Sequence, residues 1–266
     1  MPSSAPEDRW LLERRAAAAV DPFAPQPMQG PFPSLEHWCD GQLTKNTCAK
    51  NHGAGPEGEG AHYHSLSRHC RIDEAAYRLQ PDKLAAPYRD VRVVSFSDSG
   101  ELGSMAHQFE NFYLAVQLSQ GFWVSSTLHE SHSTKRMQDE VSRVTLELGA
   151  LGPGGARMVV LKLASKHGFQ DINGDESEAL VLAGVGPSGR PRATPPLLLK
   201  LMSWTDAPPW NAKRGDRQVR MDGAELDFRF LPDGTLELTE PTHQIGAGIP
   251  KEALRGLPGK HGLRFP

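Results

Sequence analysis

No run of this sequence is long and apolar enough to span a bilayer as a helix. The longest apolar run near its start, Ala16 to Val20, is too short for the core of a signal peptide. Two expectations for location follow: a cytoplasmic protein, or the mature part of an exported one whose signal was removed or lies outside this start. A dense basic face is also missing, because 29 lysines and arginines stand against 32 acidic residues, for a net charge of −3. Nucleic acid and anionic membrane surfaces are therefore not expected partners. Three signatures of catalysis are absent too: the Gly-x-Ser-x-Gly elbow, the phosphate-cradling Gly-x-x-x-x-Gly-Lys, and Gly-x-Gly-x-x-Gly between strand and helix.

Cysteine is scarce, and all three residues, Cys39, Cys48 and Cys70, fall in one short segment. That clustering suits a local disulfide with one thiol left over in an oxidising compartment, or a local metal site in a reducing one. The shorter Cys39–Cys48 bridge is favoured, with Cys70 bonding to either of them as the rival. The expected location is extracytoplasmic (periplasmic, cell-surface or secreted), with a cytoplasmic protein as the alternative.

What is abundant is turn chemistry. The 26 glycines and 22 prolines fall mostly between apolar runs, as when many turns join short strands. From Val91 the apolar period is two. The runs 91–96, 111–118, 122–128, 143–148, 157–163, 179–183, 197–204, 224–231 and 235–239 read as strands. Ser119-Gln120-Gly121 and Pro232-Asp233-Gly234 read as turns between them. Short links force antiparallel neighbours, and no helix-bearing crossover interrupts the series. The fold class expected is mainly β: an antiparallel meander forming a β-sandwich, a strongly curved sheet or a barrel, with an irregular N-terminal Cys/His segment and short helices.

Three regions are delimited. Residues 1–33 form an arm, extended or disordered, with a short helix over 5–19 and then prolines too closely spaced for one. Its alternatives are a flexible leader or a strap anchored by Phe23 and Phe32. Residues 34–90 form the Cys/His segment, starting with a helical turn capped by Ser34 and containing a glycine-rich loop over 51–60 and a short helix over 72–79. Residues 91–266 form the antiparallel β-domain.

One stretch carries a mechanism. Asp171-Ile172-Asn173-Gly174-Asp175 places three oxygen-bearing side chains at alternate positions, where a curled backbone, permitted by Gly174, would converge them on a hard cation. Together with the following Leu180-Val181, this stretch resembles the calcium-binding loop of FG-GAP repeats, the integrin-type β-propeller family, in which such a loop joins two antiparallel strands. The resemblance covers about a dozen residues and implies calcium ligation by Asp171, Asn173 and Asp175. It departs from the family at Glu176, where glycine is usual, and at Ala179, where a closing carboxylate is usual; Glu178, one residue early, is the candidate replacement. The EF-hand pattern does not fit, since the sixth position is not glycine and the twelfth is Leu182. Without metal, the same residues make an ordinary hairpin turn.

An alternative site lies in the Cys/His segment. His62 and His64 share a face if the chain is extended there, with His52, His69 and Cys70 near in sequence. A zinc hydrolase built on these, with Glu57 or Glu59 as base, is the second reading. His129-Glu130-Ser131-His132 has its histidines three apart rather than four and follows a strand, so it is read as a polar loop. Trp204 and Trp210 are read as core or as an aromatic platform. The leading expectation is a non-catalytic, exported, calcium-stabilised β-domain that binds a protein or polysaccharide.

Overall fold

The structure, a computed structural model, describes residues 23–45, 63–102, 105–135, 137–151, 156–169, 173–205, 220–239 and 259–263. In chain order its first strands are β1 (Gln26–Pro27), β2 (Gln29–Phe32), β3 (Tyr63–Arg71), β4 (Asp90–Leu102), β5 (Met105–Leu118) and β6 (Gly121–Val124). β7 (His129–Thr134), β8 (Met137–Leu151), β9 (Ala156–Phe169), β10 (Asn173–Val185) and β11 (Pro191–Ala193) follow. β12 (Leu197–Thr205), β13 (Arg220–Glu225), β14 (Asp227–Phe230), β15 (Thr235–Thr239) and β16 (Gly259–Gly262) complete them. One α-helix, α1 (Leu35–Lys45), is present among the described residues, and no helix there is long and apolar enough to cross a membrane.

Among the described residues the strands make three sheets, all antiparallel, and none closes into a barrel. The first runs β2-β6-β5-β4-β3, with β7 beside β6 along the same edge of β5. The second is centred on β9 and β10, with β8 outside β9 and with β11, β12, β13 and β1 beyond β10. The third is β14-β15-β16.

Three apolar clusters explain which face of each strand is apolar. Val91, Val93, Phe112, Leu114 and Val116 of the first sheet share one cluster with Val159, Leu161, Val181 and Ala183 of the second. The opposite face of the second sheet, with Met158, Val160, Leu180 and Leu182, packs on Leu236 and Leu238 of the third. β9 and β10 are thus buried on both faces, which is why 158–161 and 180–183 read as unbroken apolar runs rather than alternating ones. The outer face of the first sheet, with Val94, Phe96, Phe109 and Tyr113, is covered by Leu35 and Trp38 of α1. Trp38 meets Tyr113 edge-on at 5.0 Å. Helix α1 starts as its sequence implies, with the His37 N–H donating to Ser34 Oγ at 3.2 Å.

The segments preceding Val91 are more deeply built in than their composition suggests. β1 pairs with β11 in the second sheet and β2 with β6 in the first, so seven residues of the arm tie two sheets together. Residues 26–32 thus run between the two sheets, and residues 1–22 lie outside the described part. At the β2–β6 crossing, Gly30 and Gly121 have φ of +143° and +133°. A Cβ on Gly30 would lie 2.6 Å from the Phe122 carbonyl oxygen, and one on Gly121 would lie 2.5 Å from that of Phe32, so only glycine fits either place. β3 is a full edge strand of the first sheet rather than irregular chain. The helix expected over 72–79 is a single 3₁₀ turn, Ala75–Tyr77.

A buried ionic knot holds that turn down. Asp90 and Arg92 are both buried; Arg92 donates to Asp90 and, through Nη1, to Ile72 O and Asp73 Oδ1, each at 2.7 Å, while Arg78 Nε donates to Asp90 Oδ1 at 2.8 Å. Each buried charge has several partners, which is the condition for tolerating it there.

Candidate functional site

The acidic stretch sits where β9 turns into β10. The pair nearest the link is Phe169 opposite Asn173, and Gln170 and Ile172 fall outside the described residues. Asp171 falls outside the described residues. Asn173 and Asp175 already belong to β10, which is hydrogen-bonded to β9 on one side and β12 on the other. Strand alternation puts Asp175 on the face that, further along, carries Val181 and Ala183. Glu178 is on the opposite face, three residues along a regularly paired strand, and does not join Asp175. Its Oε2 instead accepts from Arg143 Nη2 at 2.7 Å.

The Cys/His segment is organised by a bond. Cys39 of α1 and Cys70 of β3 form a disulfide, with Cα atoms 6.2 Å apart. This corrects the expected Cys39–Cys48 pairing: α1 lies on the outer face of the first sheet, and Cys70, opposite Phe96 in register, points to that same face. Spatial packing outweighed sequence proximity, and Cys48 lies outside the described residues. Cys70 is consequently no thiolate for zinc. His69 points the other way and shares a 2.8 Å hydrogen bond with Ser97 Oγ through its Nε2. His64 lies in β3, while His52, His62, Glu57, Glu59 and Trp210 fall outside the described residues, and Trp204 is in β12. Among the described residues, no group of three or more His, Cys, Asp or Glu side chains is arranged to hold a metal ion.

A different constellation was not anticipated. On the face of the first sheet that looks toward the second, the apolar layer gives way to two polar rows. Across β3, β4, β5 and β7 the first row reads His69, Ser97, Glu110, Ser131, and the next reads Arg71, Ser95, Phe112, His129. Ser95 Oγ donates to Glu110 Oε1 at 2.6 Å, and Arg71 Nη1 lies 3.6 Å from the same oxygen. Ser95, Ser97 and Ser131 are buried, while Arg71 and His69 reach solvent. Burial raises the Tyr77 hydroxyl pKa, the negative charges of Glu74 and Glu110 raise it further, and Arg71 opposes them, so these groups share one environment. An open hollow of about 360 Å³ lies beside them, lined by Cys70, Arg71, Ile72, Asp73 and Glu74. The signal was present in the sequence as Ser95, Ser97 and Glu110 at inward positions of otherwise apolar strands.

The order within the row decides its chemistry. A nucleophilic triad needs the imidazole between hydroxyl and carboxylate. Here Ser97 stands between His69 and Glu110 in register, and only 1% of Ser97 is exposed, so it cannot present an oxygen to a substrate. What the hollow does offer is the Arg71 guanidinium with the Asp73 and Glu74 carboxylates in its lining, a set suited to hydrogen-bonding a polar ligand.

No family model, curated protein or solved structure matches this chain.

Proposed function

We propose that this chain is an extracytoplasmic, non-catalytic β-domain of sandwich type, stabilised by calcium, that binds a protein or polysaccharide at the hollow beside Arg71 and Glu74. The observation that carries the reading is the Cys39–Cys70 disulfide, which fastens the helix over the outer core and would be unmade in a reducing compartment. The apolar cluster shared by the first and second sheets supports the sandwich, since two sheets burying one face each against a common core is that architecture. For calcium, the support is the alternate spacing of Asp171, Asn173 and Asp175 at the link between β9 and β10. For ligand binding, it is the polar rim of an open hollow.

The test is to produce the chain with and without routing to an oxidising compartment and to compare thiol content and melting temperature. The exported form is expected to carry fewer reactive thiols and to melt higher. A cytosolic form with three free thiols and the same melting temperature would overturn the exported reading. Titration against neutral and acidic polysaccharides, with Arg71→Ala as the control, tests the hollow: binding unaffected by that substitution would place the ligand elsewhere.

A further inference from the structure

β7 is six residues long and carries two imidazoles on opposite faces. His129 faces inward, tilted against Phe112 at 6.0 Å, with its Nε2 3.6 Å from Asp139 Oδ1 of β8. His132 faces outward. Its Nε2 is 2.7 Å from Nδ1 of His107 on β5, and the two rings are nearly coplanar, 12° apart. Phe109 stacks on His132 at 4.4 Å. His107 is 93% buried (7% exposed), and its other nitrogen, Nε2, is buried without a hydrogen-bond partner.

That geometry limits how many protons the pair can hold. A 2.7 Å nitrogen–nitrogen contact needs one bare nitrogen facing one N–H, so at least one of the two imidazoles must be neutral. A second added proton would set N–H against N–H and place two positive charges about 5 Å apart on a buried face. Of the carboxylates around the pair, two are engaged and a third is exposed. Asp98 of β4, beside Phe109 in register, accepts from Arg68 of β3 at 2.9 Å; Asp139 of β8 accepts the His132 backbone N–H at 3.3 Å; Glu130 of β7 is exposed. None of them hydrogen-bonds His107 Nε2.

From this we infer that the His107–His132 pair is a pH-released fastening for β7, closed when at least one ring is neutral and opened when both are protonated. Opening it loosens the strand that supplies Ser131 and His129 to the polar rows, so acidification changes that site. Acidification favours the open form, because only there can both rings carry a second proton without setting N–H against N–H.

Hydrogen–deuterium exchange on the full chain at about pH 7.5 and about pH 5, corrected for intrinsic rates, tests this. Peptides over 105–112 and 129–134 are expected to exchange about tenfold faster at the lower pH, and those over 156–163 and 180–185 less than about twofold faster. His132→Phe keeps a ring on Phe109 and is expected to abolish the difference. Equal protection of β7 in wild type at both pH values, or a difference that survives in His132→Phe, overturns the inference. Should that variant not fold, the imidazole ¹⁵N shifts of wild type decide: titration of both rings together with loss of β7 amide protection supports it, and titration without that loss refutes it.

Discussion

Arg143 reaches from β8 over Ala164 of β9 to place its Nη2 2.7 Å from Glu178 Oε2 on β10, two strands away. The small side chain of Ala164 in the middle of the row lets the arginine lie across the sheet. Glu178 is thereby committed to a cation of this chain, on the face away from Asp175. Glu178→Gln is expected to leave any calcium response unchanged, while Asp175→Asn removes it. At millimolar calcium and dissociation constants of about 10⁻⁴ to 10⁻³ M, the response is about 0.4–1.4 kcal/mol of added stability. Melting curves in calcium and in chelator measure it. Identical wild-type curves would reduce the loop to a plain turn.

The Cys39–Cys70 bond closes a sequence separation of 31 residues. Chain-entropy reasoning gives it about 3–4 kcal/mol. Cys39→Ser should lower denaturant stability by roughly that amount, and Cys48→Ser should not. Thiol titration of oxidised, denatured protein should count one cysteine per chain. Three would remove the bond and the argument for export with it.

Gly30 and Gly121 each pass so close to the opposing strand that an added methyl meets a carbonyl oxygen. Gly30→Ala and Gly121→Ala should each cost more than about 1 kcal/mol, because a positive φ and a steric clash act together. A variant at either site that unfolds at the wild-type denaturant midpoint would show that the arm is not seated as described.

Tyr88 is buried, and its hydroxyl lies 3.2 Å from Arg157 O and 3.3 Å from Ala183 O. Burial raises its pKa above the ordinary phenol value. A group whose folded pKa is raised stabilises fully below its unfolded pKa, about 10, and loses that contribution as pH climbs toward the folded value. Stability should therefore fall from about pH 10 upward more steeply in wild type than in Tyr88→Phe. Equal alkaline slopes would show that Tyr88 ionises without penalty.

Much of the strand order was legible because apolar runs and turn residues agree, as at Ser119-Gln120-Gly121 and Pro232-Asp233-Gly234. The strands are longer than their apolar parts: β4 continues through 97–102 and β5 already runs through 105–110, where polar side chains gave no period-two signal but the backbone ladder persists. The third sheet was read as a continuation of the meander, since pairing within a hairpin says nothing about which sheet it joins. The Cys39–Cys70 bond and the polar rows were hidden for the same reason. Both depend on register between strands distant in sequence, as with His69 beside Ser97, and local spacing does not encode register.

The strap β1–β2 has a consequence for the order of events during synthesis. Its partner in the second sheet is β11, and Arg192 Nη1 donates to Pro25 O across 167 positions of sequence. β2 waits for β6 and β1 for β11, and loop closure over such spans is entropically costly. Both strands are made long before they can dock. Until they do, the open edges of β6 and β11 are exposed templates for a neighbouring chain, and the arm that finally covers them is the protein's own safeguard against that misassembly.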